Sequence, residues 1–284
     1  MAIILRRRKL GRTSVREIAR LSAERITGVL HERDPFPNNR PDYTFRWGCT
    51  ATLPYRGSTV VNEATAIHRV ADKAAFRKTL ADAGLAVSCW LDVRDWIRDG
   101  SPLPVIIRPK NHHQGRNLFH CTTQDEVLRR SRTVAERHGG MYISRVFNKT
   151  REYRVFVAQG RAICVANKTP GNPGDIAWNV AQGGRFDNVR WDDWDVGAVR
   201  RAIDAFNLSG LDFGGVDIMA NNNREYCVLE INSAPSLTSP YRQECFAKVF
   251  DYIVRNGKAT IPLQRERGGY RKFIHPAIIN DSRN

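Results

Sequence analysis

The chain has 284 residues, 42% hydrophobic and 26% charged, enough to bury a core and to form one large or two to three small domains. That composition excludes wholesale disorder, and no stretch approaches the ~18 consecutive apolar residues of a membrane-spanning helix. The formal net charge of +16 is concentrated at the ends, with 12 basic and 5 acidic side chains in residues 1–60 and 7 and 2 in residues 255–284.

Basic ends flanking a nearly balanced middle suggest a cationic rim that attracts phosphates, nucleic acid or another acidic macromolecule; a solvated surface is the competing reading. The start, MAIILRRRKLGR, lacks the long apolar block and cleavage site of a secretory signal. Cys49, Cys89, Cys121, Cys164, Cys227 and Cys245 form no CxxC pair, so they read as buried thiols in a reducing compartment. A cytoplasmic protein with no membrane partner is expected, in the host cytoplasm if virally encoded.

In chain order, residues 12–33 space Val15, Ile18, Leu21, Ile26 and Leu30 for one or two amphipathic helices. Residues 34–58, rich in Pro, Asn, Gly and aromatics, read as loop with short extended pieces. Residues 66–85 read as a helix ending at Gly84, followed by βαβ-like alternation: PVIIRP, NLFHC, a helix over 122–140 and the strand MYISRVF. From residue 151 the pattern becomes antiparallel, with a hairpin around Gln159-Gly160, a helix near 195–208, a second hairpin turning at Asn221 to Arg224, and a closing helix over 240–255. WDDWD (191–195) reads as the start of a helix with one Trp in the core.

The second hairpin carries the strongest chemical signal, GVDIM…YCVLEINSAPSL. With that turn Asp217 lies opposite Val228, and period-two alternation puts Glu230 and Asn232 on the same face. Two carboxylates in apolar strands need compensation, and with an amide oxygen they make a hard donor set suited to Mg²⁺, or Mn²⁺ in its place. The alternative is a polar face with surface carboxylates.

GLDFGGVDIM followed by VLEINSAPSL resembles the metal-binding end of the ATP-grasp superfamily, especially its RimK-like carboxylate–amine ligases. The remaining motifs follow the family's order over roughly residues 60–255. NEATAIHRVADKAAF, with Asn62, Asp72 and Lys73, resembles the entry into the fold. PVIIRPKNHHQGRNLF resembles a strand with a phosphate-binding cation followed by a lid loop. YISRVF resembles the adenine hinge, REYRVFV…ANK the next hairpin, and AWNVAQGG the Asn-plus-Gly-Gly stretch beside the triphosphate.

The resemblance implies an α/β (α+β) ATP-grasp fold: two lobes, each a sheet with helices, and nucleotide in the cleft between them. A basic N-terminal region (1–65) would precede a small lid subdomain (66–148) and a large subdomain with the metal site (149–260), with a basic tail at 261–284. It puts Lys73, Arg108 and Lys168 around the phosphates, Lys168 and Asn179 in catalysis, and Gly115 and Arg116 in the lid. Ser144, Arg145 and Val146 fall against adenine, Glu152 on the ribose, and Asp217, Glu230 and Asn232 on the metal. Arg108 stands where the family commonly has Lys, and its rigid fork suits phosphate oxygens differently from an ammonium. Taken alone, Arg108 reads as a surface group, and Glu152 with Arg154 as a surface ion pair.

The implied activity is ADP-forming ligation of a carboxylate to an amine through an acylphosphate, with ATP and Mg²⁺ and substrates unspecified. The alternatives are a kinase on the same scaffold, phosphorylating a hydroxyl or carboxylate, and a basic nucleic-acid-binding protein, whose binding would fall steeply with salt.

Overall fold

The computed structural model describes residues 1–7, 12–24, 26–110, 117–178 and 183–261. Strand β1 (Ala2–Arg6) leads to helix α1 (Arg12–Leu21), which turns Val15 and Ile18 into the core. Only this part of the 12–33 expectation is helical. The helix stops where Asp251 accepts from Ser22 Oγ (2.5 Å), Ala23 N (2.9 Å) and Glu24 N (3.1 Å), and β2 (Ile26–His31) follows as a strand parallel to β1.

Residues 34–58, expected as loop with short extended pieces, contain one such piece as the buried strand β3 (Tyr43–Trp47); with β4 (Thr59–Val61) it completes a four-stranded, all-parallel sheet in the order β2-β1-β3-β4. A Pro- and Asn-rich stretch before it and a Gly- and Pro-containing stretch after it hid the bounds of a strand that is buried almost throughout.

The expected single helix over 66–85 is two, α2 (Ala64–Ala71) and α3 (Lys73–Asp82). Asp72 leaves helical geometry between them (ψ 81°) and its carboxylate accepts from Ala75 N at 3.1 Å, capping α3 and putting Lys73 at its first position.

The lid consists of β5 (Cys89–Trp90), α4 (Val93–Arg98), β6 (Val105–Pro109), β7 (Phe119–Cys121), α5 (Gln124–His138) and β8 (Met141–Arg145). Its sheet order is β5-β8-β6-β7, antiparallel at each pairing, so the βαβ alternation is realised with β6 inserted between β7 and β8. Thr123 and Glu126 close a capping box on α5, and Gly139 ends it in the left-handed conformation (φ 71°). The main lid core gathers Trp90, Trp96, Ile107 and Ile143, whereas Ile67, Val70, Phe76 and Leu80 pack beneath the large sheet and Ala74 of α3 meets Cys89 and Tyr142.

That large sheet contains β9 (Arg151–Ala158), β10 (Arg161–Thr169) and β11 (Arg185–Asn188), then, after a 3₁₀ turn at Trp191–Asp193 and α6 (Val196–Ser209), β12 (Phe213–Ala220) and β13 (Tyr226–Asn232). Its order is β11-β10-β9-β12-β13. Asp195 caps α6 and Trp194 is buried, so the WDDWD segment is structural.

Helix α7 (Pro240–Asn256) lies between the large sheet and the N-terminal sheet. Phe45 stacks on Phe250 (centroids 4.1 Å) and Trp47 on Phe213 (5.4 Å), and each such fully buried ring is worth about 1.5–3 kcal/mol. The N-terminal region, expected as a loop-rich extension, is thus one layer of the main core.

Candidate active site

The site grows from alternation on two adjacent strands. In β12, Val216, Ile218 and Ala220 face the core beneath α6, so Asp217 faces the opposite side of the sheet, inside a cleft. Asp217 pairs directly with Glu230, and Ile218 pairs with Val228. This differs from the expected Asp217–Val228 register by two residues: the turn takes in Glu225 as a fifth residue, and a bulge accommodates Leu229 as an extra one. Glu230 and Asn232 still share the face of Asp217, Val228 goes to the core, and the bulge is what aligns the carboxylates.

Gly214 and Gly215 allow the close packing here. A Cβ on Gly214 would lie 2.8 Å from the Asn232 carbonyl oxygen, and one on Gly215 would press on Pro235 at 3.1 Å and on Arg154 at 3.4 Å. The stem of Arg154 therefore lies across β12. Its Nε and Nη2 donate to both Asp217 oxygens at 2.6 and 2.8 Å, a bidentate pair.

Lys168, from β10, donates to Asp217 (2.7 Å) and Glu152 (2.6 Å); Lys149 also pairs with Glu152. Lys73 donates to Glu230 at 2.5 Å, and Asn232 Nδ2 donates to Glu230 Oε1 at 3.1 Å. Glu152 is only 1% exposed and bonds lysines rather than Arg154, so the surface-pair reading of Glu152 and Arg154 is overturned.

Burial alone raises the pKa of Asp217, but the charges of Arg154 and Lys168 outweigh it and hold the carboxyl below its ordinary value. Glu230 is lowered in the same way, burial being overcome chiefly by Lys73 through its charge and hydrogen bond. Burial pulls Lys168 down, yet Asp217 and Glu152 keep it above the ordinary lysine value. For Lys149 burial prevails over Glu152 and lowers the pKa.

The cleft encloses about 890 Å³, ample for a nucleotide. On its lid wall lie Arg108 and the hinge residues Ser144, Arg145 and Val146; on the sheet wall lie Lys73, Glu152, Lys168, Asp217 and Glu230. Arg145 N is already engaged by Ser88 O (3.0 Å) and Val146 N by Pro104 O (3.4 Å), which limits the backbone donors the hinge offers a base. Gly115, Arg116 and Asn179 lie outside the described residues.

The donor set fits a magnesium ion. Among the described residues no three His, Cys, Asp or Glu side chains converge, so a metal at Asp217 and Glu230 would add the Asn232 amide and leave positions for water and phosphate oxygens, as Mg²⁺ favours.

Sequence reasoning missed Lys149 and Arg154 as buried cations of the site, and missed Arg242, Phe186 and Trp178 in the cleft lining. Arg154 had a visible clue in its shared face with Glu152. Its partner was not visible, because Asp217 lies 63 residues away.

Comparison with known proteins places these features in context. A family model for the RimK-like ATP-grasp domain matches residues 91–245, more than half of the chain. A probable alpha-L-glutamate ligase 2 of Hahella chejuensis is 27% identical over 229 residues, covering 74% of this chain and 72% of the relative. A probable alpha-L-glutamate ligase of Vibrio vulnificus is 25% identical over 227 residues, with 75% and 72% covered. Among solved structures, the ATP-grasp ligase PsnB complexed with a minimal precursor superposes with a TM-score of 0.62 at 14% identity, over 89% of this chain and 98% of that one. D-alanine–D-alanine ligase from Bacillus anthracis also gives 0.62, at 13% identity, over 90% and 97%. These two likenesses establish an ATP-grasp fold.

Proposed function

This chain belongs to the RimK-like ATP-grasp family, and on that premise we propose how its cleft serves ATP-dependent carboxylate–amine ligation. The activity is that of an ADP-forming ligase; neither the kinase nor the nucleic-acid-binding reading gains support from the relatives. One observation carries the assignment of roles: a buried and a half-buried carboxylate, Asp217 and Glu230, kept ionised by lysines and an arginine at the floor of a cleft between two sheets.

In our reading, adenine rests against Ser144, Arg145 and Val146, and Glu152 accepts from the ribose. Lys73, Arg108 and Lys168 surround the phosphates, assisted by Gly115, Arg116 and Asn179. Asp217, Glu230 and Asn232 would hold Mg²⁺, or Mn²⁺ in its place, which would neutralise phosphate charge. A substrate carboxylate oxygen takes the γ-phosphoryl group as ADP leaves. The amine then attacks the acyl carbon, phosphate leaves and the nitrogen gives up a proton. The chain's contribution is positioning and fixed charge. Lys168, held protonated by two carboxylates, and Arg154, fixed by Asp217, supply that charge without reorganising.

The related ligases direct attention to an acidic amino acid or a peptide carboxylate as substrate. ATP and six buried free thiols suit a reducing, cytoplasmic setting. The decisive experiment incubates the protein with ATP, Mg²⁺ and a pool of carboxylates and amines. ADP and phosphate should form in equal amounts only when both substrate classes are present, alongside a condensation product in the mass spectrum. AMP and pyrophosphate would contradict the scheme. Glu230→Gln should lower turnover about a hundredfold or more and raise the Mg²⁺ requirement.

A further inference from the structure

Lys73, Lys149, Arg154 and Lys168 each bond a carboxylate, but another buried cation of the cleft does not. Arg242, in the first turn of α7, is 3% exposed and forms part of the cleft wall. Its Nη2 donates to the Phe186 carbonyl at 3.2 Å, and among the described residues its Nε has no partner and no carboxylate forms an ion pair with it. Burial pushes its pKa below the ordinary arginine value, and the Arg154 charge adds to the push against the weaker pull of the Asp187 carboxylate. A cation in the first helical turn also meets the positive end of the helix dipole. A buried charge borne at such cost calls for an anion supplied from outside the chain.

Its place in the cleft selects the anion. Glu152, Arg154 and Phe156 succeed one another along one face of β9, leading away from the hinge, and the Arg242 guanidinium lies 5.9 Å from the Phe156 ring. At about 3.3 Å per residue, Phe156 is roughly 13 Å farther along the strand than Glu152. That is the end remote from the base and ribose, and the exposed Ser236 and Thr238 line the same cavity. The planar fork of an arginine, in a cavity that hydroxyls also line, matches a carboxylate.

We propose that Arg242, with Ser236 and Thr238, binds the substrate carboxylate that is to be joined, borne by a free acidic amino acid or by an acidic side chain of a peptide. The proposal rests on the ligase reading above. It makes Arg242 the specificity-determining residue for that substrate, with no part in holding the nucleotide.

The test is calorimetry on the full chain saturated with ADP and Mg²⁺. One arm titrates L-glutamate and the other a terminally blocked glutamate peptide; L-glutamine and the corresponding glutamine peptide serve as controls. Binding in either glutamate arm, weakened about tenfold or more by Arg242→Gln while ADP affinity is unchanged, supports the assignment and identifies the source of the carboxylate. Equal carboxylate affinity in wild type and variant overturns it and leaves the ligase reading intact, as does binding in neither glutamate arm. Failure of the wild type to bind ADP brings down the ligase reading and this assignment with it. Should Arg242→Gln not fold, Arg242→Lys and Thr238→Val decide by the same criterion: weaker carboxylate with unchanged ADP supports, and no change overturns.

Discussion

The two walls of the cleft are built on opposite electrostatic plans. On the sheet wall Asp217, Glu152 and Glu230 are bonded to Arg154, Lys168, Lys149 and Lys73, so most charges there are matched before any ligand arrives. On the lid wall Arg108 is half-buried and no ion pair holds it among the described residues. The sheet wall therefore couples the chemistry to the stability of the fold, while the lid wall presents a cation whose loss the fold tolerates.

Asp217→Asn is the harshest test of that contrast. It leaves Arg154 and Lys168 buried without their shared counter-charge, and unfolding in denaturant should show a loss of about 3–5 kcal/mol together with loss of activity. A variant of near wild-type stability would erase the distinction between the walls.

Gly214→Ala should cost about 1–3 kcal/mol, because its Cβ meets the Asn232 carbonyl oxygen at 2.8 Å and the strand pair must shift. The same measurement reads it.

Acid supplies a graded version. Asp217 and Glu230 have folded-state pKa values below their unfolded ones, so their contribution is complete above the ordinary carboxylate range. It is lost as pH falls through about 4 toward those lowered values. Thermal scans from pH 7 down to 3 should show a flat region and then a steep decline, and Asp217→Asn should flatten the decline.

Arg108→Ala, on the other wall, should change stability by less than about 0.5 kcal/mol. ADP·Mg²⁺ binding should weaken about tenfold, an effect that calorimetry resolves. Equal stability losses at Arg108 and Asp217 would show that the walls do not differ.

How much of this was legible in the sequence varies by element. The hairpin carrying Asp217, Glu230 and Asn232 was readable because alternation is local, although a longer turn and the Leu229 bulge changed the pairing and sent Val228 to the core. The cap that breaks α2 from α3 was present in the letters as Asp72-Lys73, yet apolar spacing continued across it and suggested one helix. The N-terminal sheet was hidden, since short parallel strands between Pro- and Asn-rich connections carry little periodic signal.

The sequence by itself determined the order of the elements, the family likeness, and which side chains in β9, β12 and β13 share a face, because these depend on neighbours a few positions apart. Tertiary structure alone decided that Arg154 meets Asp217, that Lys73 reaches Glu230 across 157 residues, and that Arg242 is buried with no ion pair among the described residues. Those outcomes depend on strand order and helix docking, where the free energy of burying and pairing charge is settled between segments that no local pattern connects.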